Sequence, residues 1–148
     1  GNIGQITKGD QLFKNLSIAG TKKNPVINVY GNNYNTPDGT CIRDYIHVSD
    51  IAKIHIKALK YIKKNEKSII LNCGYGKGIS VIEAIKEFQI QIKKKFKINF
   101  CKKRKGDMEQ IIANNKKIKN ILNWNPGKYH LKKIVKSSLK WEKKIKLY

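Results

Sequence analysis

The sequence predicts an α/β chain of about four helices and about four short strands. Three observations carry that reading. β-Branched runs alternate with segments of helical period, the joints between them are rich in Gly, Asn and Pro, and the order strand–helix–strand recurs. At 148 residues, 40% hydrophobic and 28% charged, the composition is globular, with room for one modest core, and 1–148 reads as a single domain.

Val26-Ile27-Asn28-Val29-Tyr30 is the first strand, closed by Gly31 and a polar turn from Asn32 to Gly39. Thr40 to Val48 reads as a second. Alternation there puts Ile42, Ile46 and Val48 on one face and Arg43, Tyr45 and His47 on the other. Ser49 can cap the helix that follows, whose apolar stripe is Ile51, Ile54, Ala58, Leu59 and Ile62 and whose last turn carries Lys63 and Lys64. Ser68 to Cys73 has the composition of a short buried strand ending at Gly74. Ser80 with Glu83 three positions on forms a capping box for a helix with Val81, Ile82, Ile85, Phe88 and Ile92 inside. Lys97 to Lys102 is the next strand. A short helix over Lys116–Leu122 stops at Trp124-Asn125-Pro126-Gly127, and a last helix lines up Leu131, Ile134, Val135, Leu139 and Ile145.

Charge is the outlying property. Thirty-two basic against ten acidic side chains give +22, and residues 51–148 carry almost all of the excess. Thirty of the 32 are Lys, a composition that A+T-rich codons would also produce. No apolar run approaches the roughly 20 residues that span a bilayer, and the first residues have no signal-peptide pattern. Cys41, Cys73 and Cys101 are odd in number, with no C-x-x-C pair. That favours reduced, buried thiols in a cytoplasmic protein over a disulfide scaffold or zinc ribbon. His47, His55 and His130 have no partner at metal-ligand spacing, so no metal is expected.

Two clusters invite a chemical reading. Gly74, Gly76 and Gly78 are spaced G-x-G-x-G rather than G-x-G-x-x-G, and the residues directly after the next strand, Lys103-Arg104-Lys105, are basic where a dinucleotide fold places a ribose-holding acid. A plain strand-to-helix turn is therefore favoured over a dinucleotide site. Arg43 and Arg104 are the only arginines among the 32 cations, and each lies in a polar motif beside a strand segment, Arg104 with Asp107 three residues on. Where a point charge suffices, lysine drift erodes arginine. Two survivors suit the planar fork that grips phosphate bidentately; structural pairing with Asp44 and Asp107 is the alternative.

The string Thr36-Pro37-Asp38-Gly39-Thr40-Cys41-Ile42-Arg43-Asp44-Tyr45-Ile46-His47-Val48-Ser49-Asp50, preceded by Tyr30-Gly31 and Tyr34, resembles the centre of the UDP-glucose 4-epimerases, extended short-chain dehydrogenase/reductases of the NAD-dependent epimerase/dehydratase family. The resemblance continues through Asn72-Cys73-Gly74, Ser80-Val81, Arg104-Lys105-Gly106-Asp107 and Leu122-Asn123-Trp124, and reaches back to Gly1-Asn2-Ile3-Gly4. It covers essentially the whole chain but only the C-terminal, substrate-binding portion of the family's length.

The resemblance implies a UDP-sugar ligand. Arg43 and Arg104 match the diphosphate clamp and Asp107 the ribose contact. Asn28 and Tyr30 match the strand beside the uracil, and Gln11-Leu12 an Asn-Leu pair that contacts the nucleotide. Gln5, Gln11 and Lys105 depart from the usual residues, and Ile111 falls where a residue bordering the sugar pocket differs among relatives. The family's NAD turn, its Tyr-x-x-x-Lys pair and the assisting Ser/Thr belong to the upstream Rossmann portion. No catalytic and no cofactor-binding residue is therefore assigned here, and NAD is expected only in the intact enzyme, which could be a homodimer. The chain alone is expected to be inactive: a fragment, one half of a split enzyme whose partner is an N-terminal NAD-binding half, or the product of a decaying gene. Isolated, it should expose apolar helix faces and an unpaired strand edge. The alternative is a small basic protein that binds nucleic acid or another anionic surface. Its scattered lysines predict weak, salt-labile, non-specific binding.

Overall fold

A computed structural model describes Ile6, residues 9–126 and residues 131–145 of the chain. Gly1-Asn2-Ile3-Gly4, Gln5, Gly127 and His130 of the sequence reading lie outside these. The described residues form five helices and five short strands: α1 (Leu12–Gly20), β1 (Val26–Tyr30), β2 (Ile42–Arg43), α2 (Val48–Asn65), β3 (Ile79–Ser80), α3 (Val81–Ile92), β4 (Lys97–Cys101), β5 (Gln110–Ile111), α4 (Lys116–Leu122) and α5 (Leu131–Ile145). The predicted α/β class holds. Packing divides the chain into two compact units, one from Gly1–Ile42, Ser80–Glu109 and His130–Tyr148, the other from Arg43–Ile79 and Gln110–Tyr129. The two-residue strands fall where the chain passes from one unit to the other.

In the first unit β1 and β4 pair in parallel, from Val26 opposite Lys97 to Tyr30 opposite Cys101. Parallel neighbours need a crossover with a helix, and α3 directly precedes β4. On β1, Ile27 and Val29 point into the core while Val26, Asn28 and Tyr30 point out. Helices α1, α3 and α5 pack on one another and α1 on β1, burying Leu16, Ala84, Ile85, Phe88 and Val135 completely or nearly so. Phe13 meets Phe88 edge-on at 5.4 Å. Polar ties join α1 to α5, among them a buried ion pair, Lys14 Nζ to Glu142 Oε1 at 2.5 Å, and a hydroxyl pair, Ser17 to Ser138 at 2.6 Å.

The capping box at the start of α3 forms as read. Ser80 Oγ accepts from the Glu83 amide at 3.0 Å, and Glu83 Oε2 accepts from the Ser80 amide at 2.7 Å. Asp38 bonds both hydrogens of Thr40, the amide at 3.0 Å and the hydroxyl at 2.6 Å, and also accepts from the Ser80 hydroxyl. The 36–40 turn is thereby tied to the head of α3. Gly39 is required in that turn. Its φ is +74°, and a Cβ there would lie 2.2 Å from the Asn32 carbonyl oxygen.

In the second unit α2 packs on α4 around Ile54, Ile118, Leu122 and Trp124, with Ile46, Tyr61, Leu71 and Tyr75 against them. Lys57 reaches the end of α4, donating to the carbonyls of Leu122 at 3.3 Å and Asn123 at 3.0 Å. These are the acceptors a helix C-terminus leaves open.

Five expectations are corrected. The strand read over Thr40–Val48 is regular only at Ile42–Arg43, because Asp44 is drawn to the amides of Tyr75 and Gly76 and α2 starts at Val48. The cap of α2 is His47, not Ser49. Its Nδ1 accepts the Ser49 amide at 3.1 Å, so Ser49 is already helical. Ser68–Cys73 forms no strand: no neighbouring strand among the described residues offers it a ladder, and Ile70 is 86% exposed. On α2, Ile54 is buried as expected, but Leu59 and Ile62 are 52% and 45% exposed. The thiols divide as well, Cys41 being buried and Cys73 exposed.

Candidate functional site

The outward face of the first unit's strand pair gathers three of the predicted site residues, Asn28, Tyr30 and Arg104. Period-two alternation aims Asn28 and Tyr30 away from the core, and the parallel register sets Asn99 beside Asn28, where the Asn99 amide donates to Asn28 Oδ1 at 3.3 Å. The ladder runs one step past β1, with the Gly31 amide donating to the Cys101 carbonyl at 2.9 Å. The chain leaving β4 therefore stays close to the end of β1. It delivers the Arg104 guanidinium onto the Tyr30 ring, 4.0 Å from the centroid.

Such a stack contributes about 0.5–1 kcal/mol at an exposed position. It holds the guanidinium plane while leaving N–H groups at its edge for an anion. Arg104 opens a turn that passes through Gly106, at φ +86°, and closes with the Asp107 amide donating to the Arg104 carbonyl at 3.3 Å. Asp107 is exposed on that turn.

Next to this stack lies a second one. Lys103 Nζ sits 4.2 Å from the Tyr34 ring centroid and donates to the Asn33 carbonyl at 3.0 Å. Gln11, exposed, is the N-cap residue of α1 with extended backbone and no side-chain cap bond. Its carbonyl accepts from the Asn15 amide at 3.0 Å. Leu12, half-buried, is the first helical residue. The structure thus brings Asn28, Tyr30 and Arg104 together, with Asp107 on the same turn as Arg104. Arg43 is half-buried at the end of β2 and belongs to the second unit.

The glycine turn of the second unit does not fit a dinucleotide. A phosphate cradle needs open backbone amides, and here Asp44 accepts those of Tyr75 and Gly76 at 3.0 and 2.8 Å. A Cβ on Gly74 would lie 2.4 Å from the Asp44 carboxylate and 2.5 Å from Ala113, so its smallness serves packing. Tyr75 extends the same structural network. It stacks on Trp124, donates its hydroxyl to Asp50 at 2.6 Å and accepts from the His47 amide. Burial, with the Asp50 bond next, pushes the Tyr75 phenol up to about 12. Among the described residues no group of three His, Cys, Asp or Glu is placed to hold a metal, and no helix is long and apolar enough to cross a membrane.

Sequence reasoning missed Asn99, Lys103 and the ring-on-cation role of Tyr30 and Tyr34. The alternating β1 and β4 patterns and the Lys103-Arg104 pair were the available signals, but only the parallel register puts them side by side. The spacing Tyr-x-x-x-Lys does occur once, at Tyr129 and Lys133. Tyr129 lies outside the described residues, and Lys133 is an exposed position on α5.

Comparison with known proteins gives a consistent picture. The family model described as GDP-mannose 4,6 dehydratase matches residues 12–138. A UDP-glucose 4-epimerase of Azospirillum brasilense is 38% identical over 146 residues, 98% of this chain and 42% of that protein. Among solved structures, the UDP-glucose-4-epimerase of Stenotrophomonas maltophila, crystallised with NAD and formylated UDP-arabinopyranose, superposes with a TM-score of 0.91 at 30% identity, over 98% of this chain and 44% of its own. The UDP-Glc/GlcNAc 4-epimerase of Campylobacter jejuni gives 0.81 at 38% identity, over 95% and 42%. The chain spans about two fifths of the length of these relatives, the share expected of the C-terminal part of their architecture. With a family match across most of its residues, the chain belongs to the NAD-dependent epimerase/dehydratase family and is similar to its UDP-glucose 4-epimerases.

Proposed function

We propose that this chain supplies the UDP-sugar-binding part of a cytoplasmic UDP-glucose 4-epimerase. Arg104 holds the diphosphate, Asp107 the ribose, Asn28 and Tyr30 flank the uracil, and Gln11-Leu12 contacts the nucleotide. The observation that carries the proposal is the Arg104 guanidinium resting on Tyr30, 4.0 Å from the ring centroid, beside the outward Asn28. It is a pre-set anion fork next to an exposed aromatic and an amide, the groups a nucleoside diphosphate calls for. The epimerase relatives support the same assignment. NAD and hydride transfer belong to an N-terminal, NAD-binding half in this proposal, and the 148-residue chain binds without turning over.

Titration calorimetry with UDP and uridine tests the assignment. Arg104→Ala is expected to weaken UDP roughly 10–100-fold, the worth of one charge-assisted bidentate contact, and to leave uridine unchanged. Equal UDP affinity in the variant would overturn the clamp, and conversion of UDP-galactose by the chain alone would overturn the division of labour. The net charge of +22 favours a second reading, polyanion binding. On the preferred account RNA binding is weak and collapses between 50 and 200 mM salt, as counterion release requires.

A further inference from the structure

We infer that Lys103 is a positioning residue for Arg104, setting the angle at which that guanidinium meets the diphosphate; the inference rests on the UDP reading above. Lys103 and Arg104 are consecutive, and their side chains straddle the 30–34 segment. Arg104 goes to the Tyr30 ring at 4.0 Å, Lys103 to the Tyr34 ring at 4.2 Å and the Asn33 carbonyl at 3.0 Å.

Between the two rings stands Gly31, with φ +84°. A Cβ on it would lie 2.4 Å from Tyr34 and 2.9 Å from the Lys103 stem. The close passage of Lys103 across this turn is therefore built into the backbone, not an accident of a surface side chain. The Gly31–Cys101 ladder bond at 2.9 Å fixes the other side of the same crossing. The Lys103 ammonium is committed to a ring and a carbonyl, so it acts through its neighbour rather than as a phosphate ligand. With the crossing intact the peptide before Arg104 is held on both sides. Without it, Arg104 must spend binding energy on ordering its own loop.

Two measurements on the 148-residue chain test this. The first is UDP and uridine affinity for Lys103→Met, Lys103→Arg, Lys105→Met and Arg104→Ala. The expected pattern is roughly 3–10-fold weaker UDP binding in Lys103→Met, the scale of one exposed cation–π contact plus one hydrogen bond. Uridine should be unchanged, and Lys103→Arg, which keeps both contacts, should restore wild-type affinity. Lys105→Met removes the same charge one residue beyond Arg104 and should change UDP binding less than about 2-fold.

The second measurement needs no ligand. The Arg104 Nε–Hε NMR signal should carry a ring-current displacement from Tyr30 that is lost in Lys103→Met. Wild-type UDP affinity in Lys103→Met, an equal loss in Lys105→Met, or an unmoved Arg104 signal overturns the inference. If Arg104→Ala itself leaves UDP binding intact, the UDP reading fails instead, and the Arg104 signal still decides whether Lys103 sets its position.

Discussion

Arg104 shows how one side chain can be read twice. In the sequence it stands out as one of two arginines against thirty lysines. In the structure its value lies in the ring beneath it, which a lysine's point charge would use less well than a planar guanidinium. Asp38 is a second residue whose surroundings make a prediction. Its partial burial pushes the carboxyl up, but the bonds from the Ser80 hydroxyl and from the Thr40 hydroxyl and amide outweigh this and hold it below the usual carboxylate value. A depressed folded-state pKa means stabilisation that is complete above the unfolded value near 4 and is lost as pH falls through the folded one. Thermal midpoints of the wild type should therefore drop on acidification below about pH 4, and Asp38→Asn should start lower and fall less over that window. Tyr75 has the opposite sign. Its phenol is raised to about 12, so its contribution is intact below pH 10 and disappears between about pH 10 and 12. Tyr75→Phe should flatten the alkaline limb of the stability curve.

At the scale of elements, helices α1 and α5 are joined by the Lys14–Glu142 pair at 2.5 Å. Glu142→Gln takes the carboxylate from a buried ion pair and should cost about 3–5 kcal/mol in a denaturant melt. Lys14→Met with Glu142→Leu should recover most of that loss. The pair also marks where the sequence could not be read, since a lysine and a glutamate look like solvated positions until two helices enclose them. α1 itself has Leu12, Leu16 and Ala19 at helical spacing yet received no assignment among the polar residues around it. By contrast β1, the Ser80–Glu83 box, β4 and α4 were legible because each is set locally, by alternation or by a cap. Ser68–Cys73 failed for the complementary reason. Its apolar composition suits a strand, but a strand exists only where another offers a ladder. The site divides in the same way: Arg43, Arg104 and Asp107 are visible as residue types, whereas Lys103 over Tyr34 depends on a register that no local pattern encodes.

At the scale of the whole molecule, two surface properties pull in opposite directions. A net charge of +22 keeps copies apart, while Ile56, Leu59 and Ile62 on α2, with Ile70 beyond it, stay exposed and favour association. High salt screens the first and leaves the second. Sedimentation of the isolated chain should show self-association that grows from 0.05 to 0.5 M NaCl, and Leu59→Glu with Ile62→Glu should abolish it. An unchanged monomer at every salt concentration would mean that this face needs no cover. The functional proposal turns on the Arg104 fork meeting a diphosphate, and a crystal structure of the chain with UDP tests it most directly. The expected result is N–H groups of Arg104 within hydrogen-bonding distance of diphosphate oxygens, with its plane still on Tyr30. A nucleotide bound elsewhere, or one whose phosphates do not touch Arg104, would contradict it.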